Sequence, residues 1–176
     1  MKFTAAPLAG AYLIEVEPAV DERGFFARTW CTNEFAAHGL ESQWVQCSIS
    51  YNQKQGTLRG MHFQRSPAEE AKLVRCTQGA VYDVIVDVRP DSPTCRRWAA
   101  YELTAANRSS VYIPPGFAHG FYTLTDDVEL HYSISAFYQA EAAAGFRWND
   151  SAFGIEWPAR PSVISRRDDS YPDFAK

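Results

Sequence analysis

Only four histidines supply this chain with side chains that exchange a proton near neutral pH: His38, His62, His119 and His131. Two of them sit in unusual settings. His62 lies in L-R-G-M-H-F-Q (Leu58–Gln64), and His119 lies in P-P-G-F-A-H-G-F (Pro114–Phe121). Glycine flanks both, which permits close backbone approach. A neutral imidazole beside cations suits proton abstraction that leaves negative charge behind, and Arg59 and Lys72 are cations near His62 in sequence. A hydrogen-bonded structural role fits His62 equally well at this stage. His38 and His131 are read as structural. Taken singly, Tyr132 and Tyr138 read as packing residues, and Asp168, in S-R-R-D-D, as part of an exposed charge run.

Other chemistries find less support. Gln64 stands two residues after His62, so no His-x-His pair with a nearby carboxylate is available for a transition metal. There is no P-loop, no G-x-G-x-x-G and no serine elbow. A phosphate would have to be held by side chains such as Arg23 and Arg59.

The elements that must position these residues read as strands. In Ala80–Val88, Tyr82, Val84, Val86 and Val88 alternate with Val81, Asp83, Ile85 and Asp87, the pattern of a half-buried strand with one fully apolar face. Further strands are expected at Trp44–Tyr51, Gly56–Phe63, Leu73–Thr77, Trp98–Leu103, Ser109–Ile113, Gly120–Leu124 and Val128–Ser135, with Gly, Pro, Asn or Asp between most of them. Alternation in the strand that carries His62 puts Leu58, Gly60 and His62 on one face and Arg59, Met61 and Phe63 on the other. One short helix is expected at Thr32–His38, capped by Asn33 and stopped by Gly39. Many short strands with little helix indicate a sandwich or barrel. The aromatic C-terminal stretch is expected to wrap it, burying Trp148, Phe153, Ile155 and Trp157.

With 176 residues, 46% of them apolar, the chain suits one domain with one sizeable core. We expect a single domain over residues 1–176, its barrel core at roughly 44–136 and its wrapping tail at 145–176. A net charge of −4 with mixed signs argues against nucleic acid as partner. No apolar run reaches membrane-spanning length, and the N-terminus does not read as a signal peptide. Cys31, Cys47, Cys76 and Cys95 show no C-x-x-C pairing and read as reduced thiols of a cytoplasmic protein.

Nine ordered segments together resemble one family over nearly the whole chain. They are D-E-R-G-F-F (Asp21–Phe26), L-R-G-M-H-F-Q, A-K-L-V-R-C (Ala71–Cys76), V-Y-D-V-I-V-D-V-R (Val81–Arg89), D-S-P-T (Asp91–Thr94), I-P-P-G-F-A-H-G-F (Ile113–Phe121), W-N-D (Trp148–Asp150), I-E-W-P (Ile155–Pro158) and S-R-R-D (Ser165–Asp168). The sequence is similar to the dTDP-4-dehydrorhamnose 3,5-epimerases. That resemblance implies an all-β fold, a double-stranded β-helix or jelly roll of the cupin-like kind with short peripheral helices. It implies a homodimer without metal or other cofactor, acting on a nucleotide-diphosphate-linked 4-keto-6-deoxy sugar. It implies His62 as general base, Asp168 as its partner, Tyr132 as proton donor from the opposite side and Lys72 at the developing oxyanion. Arg23, Phe26, Gln46, Arg59, His119, Tyr138 and Arg167 match substrate-contacting positions.

The chain departs from the family pattern at Arg28, Cys47-Ser48, Ala143 and Arg167, all around the substrate. The reading that the chemistry is kept while the nucleotide or sugar differs stays open beside neutral drift. So do inversion at one centre only, a sugar keto-isomerase and a non-catalytic sugar-binding module.

Overall fold

The computed structural model describes residues 1–174. Its N-terminal part holds β1 (Lys2–Ala5), β2 (Tyr12–Glu15), β3 (Ala19–Asp21), β4 (Gly24–Phe26) and helix α1 (Thr32–Ala37). The central strands are β5 (Gln46–Asn52), β6 (Thr57–Gln64), β7 (Lys72–Gln78), β8 (Ala80–Asp87) and β9 (Trp98–Thr104). They continue with β10 (Ser110–Ile113), β11 (Phe117–Thr123) and β12 (Val128–Ile134). Beyond these lie β13 (Ala143–Gly145), β14 (Val163–Ile164) and helix α2 (Arg166–Asp169).

Two sheets face each other. One runs β1-β2-β10-β7-β12-β5; the other runs β13-β6-β11-β8-β9, with β14 added parallel to β6. Strands close in sequence alternate between the sheets, as β6, β7 and β8 do, which gives the jelly-roll arrangement expected of the sequence. The β3–β4 hairpin stands apart as a two-stranded ribbon. Between the sheets Val74, Val81, Ile85, Leu103, Val111, Phe117, Phe121 and Leu130 are each buried in one apolar cluster. Full burial of such side chains contributes roughly 1.5–3 kcal/mol apiece.

Strand β8 differs from its sequence reading. It is buried on both faces, not half-buried. Val81, Asp83 and Ile85 point between the sheets, while Val84 and Val86 lie under Phe146, Phe153, Ile155, Trp157 and Phe174. The C-terminal stretch thus covers the outer face of this sheet. Trp148 is half-buried and lies outside that cluster, giving its indole N–H to Asp169. Helix α1 also departs in one detail. Cys31 occupies the N-cap without a side-chain cap bond, and Asn33 lies inside the first turn. Gly39, at φ 68°, does follow the helix end, in the left-handed region where glycine carries no Cβ penalty.

The strand that carries His62 is irregular where it matters. Register pairs join His119 to His62 and Phe121 to Arg59, so β6 advances three residues where β11 advances two. That extra residue is a β-bulge. It breaks the period-two alternation, so Arg59 and His62 line the same cavity rather than opposite faces. Gly60, at φ 137°, makes the bulge sterically feasible. A Cβ there would lie 2.6 Å from Gly120 Cα, and one on Gly120 would lie 2.8 Å from Arg59 O. The two glycines beside the two notable histidines pack against each other.

Candidate active site

The cavity opens between the two sheets and has a volume of about 320 Å³. The β6 side contributes Arg59 and His62, with His119 beside them from β11. The β7 and β12 side contributes Lys72 and Tyr132. In register, Tyr132 pairs with Val74 and Ile134 with Lys72, so Tyr132 and Lys72 project from one face of that sheet. A ring held between the sheets therefore meets His62 from one wall and Tyr132 from the other.

His62 is fixed from behind. Its Nε2 lies 2.8 Å from Asp168 Oδ1, while the Gly60 backbone N–H donates to Asp168 Oδ2 at 3.3 Å. Asp168 is 106 residues away in sequence and is 4% exposed. It is not part of a solvated charge run. Helix α2 carries it inward, and the Ser165 side chain caps that helix by accepting from the Asp168 N–H. Burial pushes the Asp168 carboxyl upward, but the His62 hydrogen bond and charge, with the Gly60 N–H, outweigh it and hold it below the usual carboxylate range. An ionised Asp168 can only accept, so the Nε2–H donates to it and Nδ1 is left as the basic nitrogen. The ring edge packs against Tyr171, centroids 5.9 Å apart.

Across the cavity, Tyr132 lies edge-on to His119 at 5.9 Å. Burial first, and the Asp83 charge second, push its hydroxyl far above the ordinary tyrosine value, against a smaller opposing effect of Arg59. That shift favours the protonated phenol. His119 is itself held by a buried carboxylate, Nε2 to Asp83 Oδ2 at 2.8 Å. Two histidines on neighbouring strands are thus each held by an aspartate from another element. Asp83 looked like the polar side of a half-buried strand, and only the burial of β8 on both faces gives it this part.

The remaining wall is cationic at its rim. Arg59 is steadied by Asn52 Oδ1 at 2.7 Å, and Arg167 by the Tyr171 hydroxyl at 2.8 Å. Gln46 accepts from the Tyr138 backbone N–H at 2.8 Å, joining two residues that also line the cavity. Lys72 pairs with Glu70, Nζ to Oε1 at 2.9 Å. Of the residues singled out in the sequence, the cavity gathers His62, Lys72, Tyr132, Gln46, Arg59, His119, Tyr138 and Arg167, with Asp168 directly behind His62. Arg23 and Phe26 are not gathered. Both are exposed on the β3–β4 hairpin, where Arg23 pairs with Asp21. Sequence reasoning missed Asp83, because an acidic residue in a strand gives no sign of which way it points, and Glu70, because it sits in the connection just before β7, where no periodicity assigns a facing. Among the described residues, no group of three or more His, Cys, Asp or Glu is arranged to hold a metal ion.

Known proteins are similar to this chain in sequence and in fold. The family model for dTDP-4-dehydrorhamnose 3,5-epimerase matches residues 5–176. The dTDP-4-dehydrorhamnose 3,5-epimerase of Sinorhizobium fredii is 40% identical over 177 residues, covering 100% of this chain and 91% of that one. The crystal structure of the Bacillus anthracis dTDP-4-dehydrorhamnose 3,5-epimerase, with TDP and PPi bound, superimposes with a TM-score of 0.94 at 38% identity, over 98% of this chain and 99% of that one. A 3'-monoepimerase from Streptomyces bikiniensis in complex with dTDP-quinovose gives a TM-score of 0.87 at 32% identity, over 96% and 85%.

Proposed function

The chain belongs to the dTDP-4-dehydrorhamnose 3,5-epimerase family and is a carbohydrate epimerase, and on that premise we propose how its residues divide the work. The substrate is a nucleotide-diphosphate-linked 4-keto-6-deoxy sugar. A ketone at C4 acidifies the C–H bonds at C3 and C5. His62 Nδ1 takes one of these protons, and the bond electrons move onto the C4 oxygen to give an enolate. Asp168 holds the tautomer and stabilises the imidazolium. Lys72 stabilises the enolate oxygen where charge develops. Tyr132 delivers its proton to the carbon from the opposite wall, which inverts the centre; the phenolate then regains a proton from solvent and the His62 imidazolium releases its proton to solvent, which restores both groups. The observation that supports this reading is the His62–Asp168 pair at 2.8 Å on one side of a cavity whose other side carries Tyr132 and Lys72.

Gln46, Arg59, His119, Tyr138 and Arg167 bind the substrate in this reading, the arginines against the diphosphate. Arg23 and Phe26 serve a neighbouring site. The active form is a homodimer in which the exposed hairpin of one chain, with Phe26 at 80% and Val20 at 76% exposure, reaches the cavity of the other. One catalytic unit spans residues 1–176. The enzyme works in the cytoplasm, which suits four unpaired cysteines. No helix of the described residues is long and apolar enough to cross a membrane.

The test is solvent exchange. In deuterated water the full chain should wash deuterium into C3, C5 or both of dTDP-4-keto-6-deoxyglucose, read by mass spectrometry and NMR, with inverted product. Parallel assays with the CDP- and GDP-linked sugars settle the nucleotide. Movement of the carbonyl instead of inversion, or no exchange with any of these sugars, refutes the reading.

A further inference from the structure

Glu70 is the only carboxylate lining the cavity among the described residues. Its side chain is 7% exposed and pairs with Lys72 through Oε1 at 2.9 Å. The second oxygen, Oε2, is buried and has no hydrogen-bond partner. Holding Lys72 needs only one carboxylate oxygen. An ionised group in a buried wall with an acceptor left unpaired is costly unless the working state supplies a donor. Glu70 lines the cavity, and the χ3 torsion of glutamate is broad and soft, so the carboxyl group can turn toward a donor held there.

A sugar ring brings such donors as hydroxyl groups. If Lys72 meets the C4 oxygen, as proposed above and on which this inference rests, then the next oxygen along the ring is the C3 hydroxyl. The Lys72–Glu70 contact keeps the two head groups side by side on the cavity wall, so a ring oxygen held at Lys72 brings its neighbouring hydroxyl close to the Glu70 carboxyl group. We infer that Glu70 is a specificity-determining residue that accepts a hydrogen bond from the hydroxyl vicinal to the ketone, so that Lys72 and Glu70 together read a keto-alcohol pair.

Binding calorimetry on the full chain tests this with three probes that do not turn over: dTDP, dTDP-glucose and dTDP-3-deoxy-3-fluoroglucose. Fluorine cannot donate. The wild-type chain should bind the hydroxyl sugar on the order of 10- to 100-fold more tightly than the fluoro sugar, the range of a hydrogen bond to a charged group. In Glu70→Gln the amide oxygen keeps the Lys72 contact and a donor turns to the cavity. That variant should bind the two sugars nearly equally. Unchanged dTDP affinity would show that it is folded. A wild type that binds both sugars alike, or a Glu70→Gln variant that still prefers the hydroxyl, overturns the inference. A chain that shows the expected preference yet exchanges no deuterium with any keto sugar would instead overturn the epimerase roles.

Discussion

Replacing Asp168 by Asn separates the charge behind His62 from the shape of the site. Asp168 serves two donors at once, His62 Nε2 at 2.8 Å and the Gly60 N–H at 3.3 Å, through its two oxygens. An amide has one oxygen. If it faces His62, its NH2 points at the Gly60 N–H; if it faces Gly60, the NH2 meets Nε2 and forces the proton onto Nδ1, the nitrogen that should act as base. Either way one interaction is lost and the imidazolium loses its counter-charge. A hydrogen bond to a charged group is worth about 1.5–3 kcal/mol. At about 1.4 kcal/mol per factor of ten, that is a rate loss of roughly 10- to 100-fold. The wrong tautomer adds to it. The Ser165 cap uses the Asp168 backbone N–H and survives the change, so helix α2 should persist. The assay is the initial rate of deuterium incorporation into the 4-keto sugar, with circular dichroism and dTDP binding as controls for folding. A folded Asp168→Asn chain that exchanges at the wild-type rate would refute the assignment of this pair as base and support.

Tyr132→Phe should suppress inversion more than exchange, since His62 still abstracts the proton while the donor on the opposite wall is gone; equal losses of both, measured by NMR on one sample, would contradict that. Chains carrying Arg23→Ala and chains carrying Asp168→Asn, each weak alone, should regain activity on mixing if Arg23 serves a neighbour's cavity, and additive rates would argue against the shared site. Asp87 supplies a stability prediction. Burial pushes its carboxyl up, but hydrogen bonds from Arg89, Ser92 and Thr94 outweigh it and hold it at about 2, below its ordinary value of 3.8. A depressed folded value stabilises the fold at pH above the ordinary one and is lost as pH falls toward about 2. Thermal melts of the wild type should therefore drop across that window. Asp87→Asn should lower the melting temperature at pH 7, since breaking a buried pair costs about 3–5 kcal/mol, and should flatten the acid-side slope; an unchanged slope would refute the linkage.

Much of this protein was legible before its fold. The β-branched alternation of Ala80–Val88 and the turn residues between apolar runs dictate strands, because side chains in a strand repeat every two residues whatever surrounds them. The pairing of a rare histidine with a glycine, twice, marked the places where backbones approach too closely for a Cβ. The match of ordered motifs then pointed to His62, Lys72, Tyr132 and Asp168 together. What sequence could not supply is direction in space. Arg59 and His62 share a cavity only because a bulge opposite β11 adds one residue to β6, and strict alternation assigned them to opposite faces. Asp83 became an inward partner of His119 only when the C-terminal stretch covered the outer face of β8. Asp168 is buried only because helix α2 folds back across 106 residues of chain to reach His62. Periodicity is a local property of the backbone and can be read from residue types. The facing of a polar side chain depends on which distant segment takes the other face, and that is settled only when the sheets close.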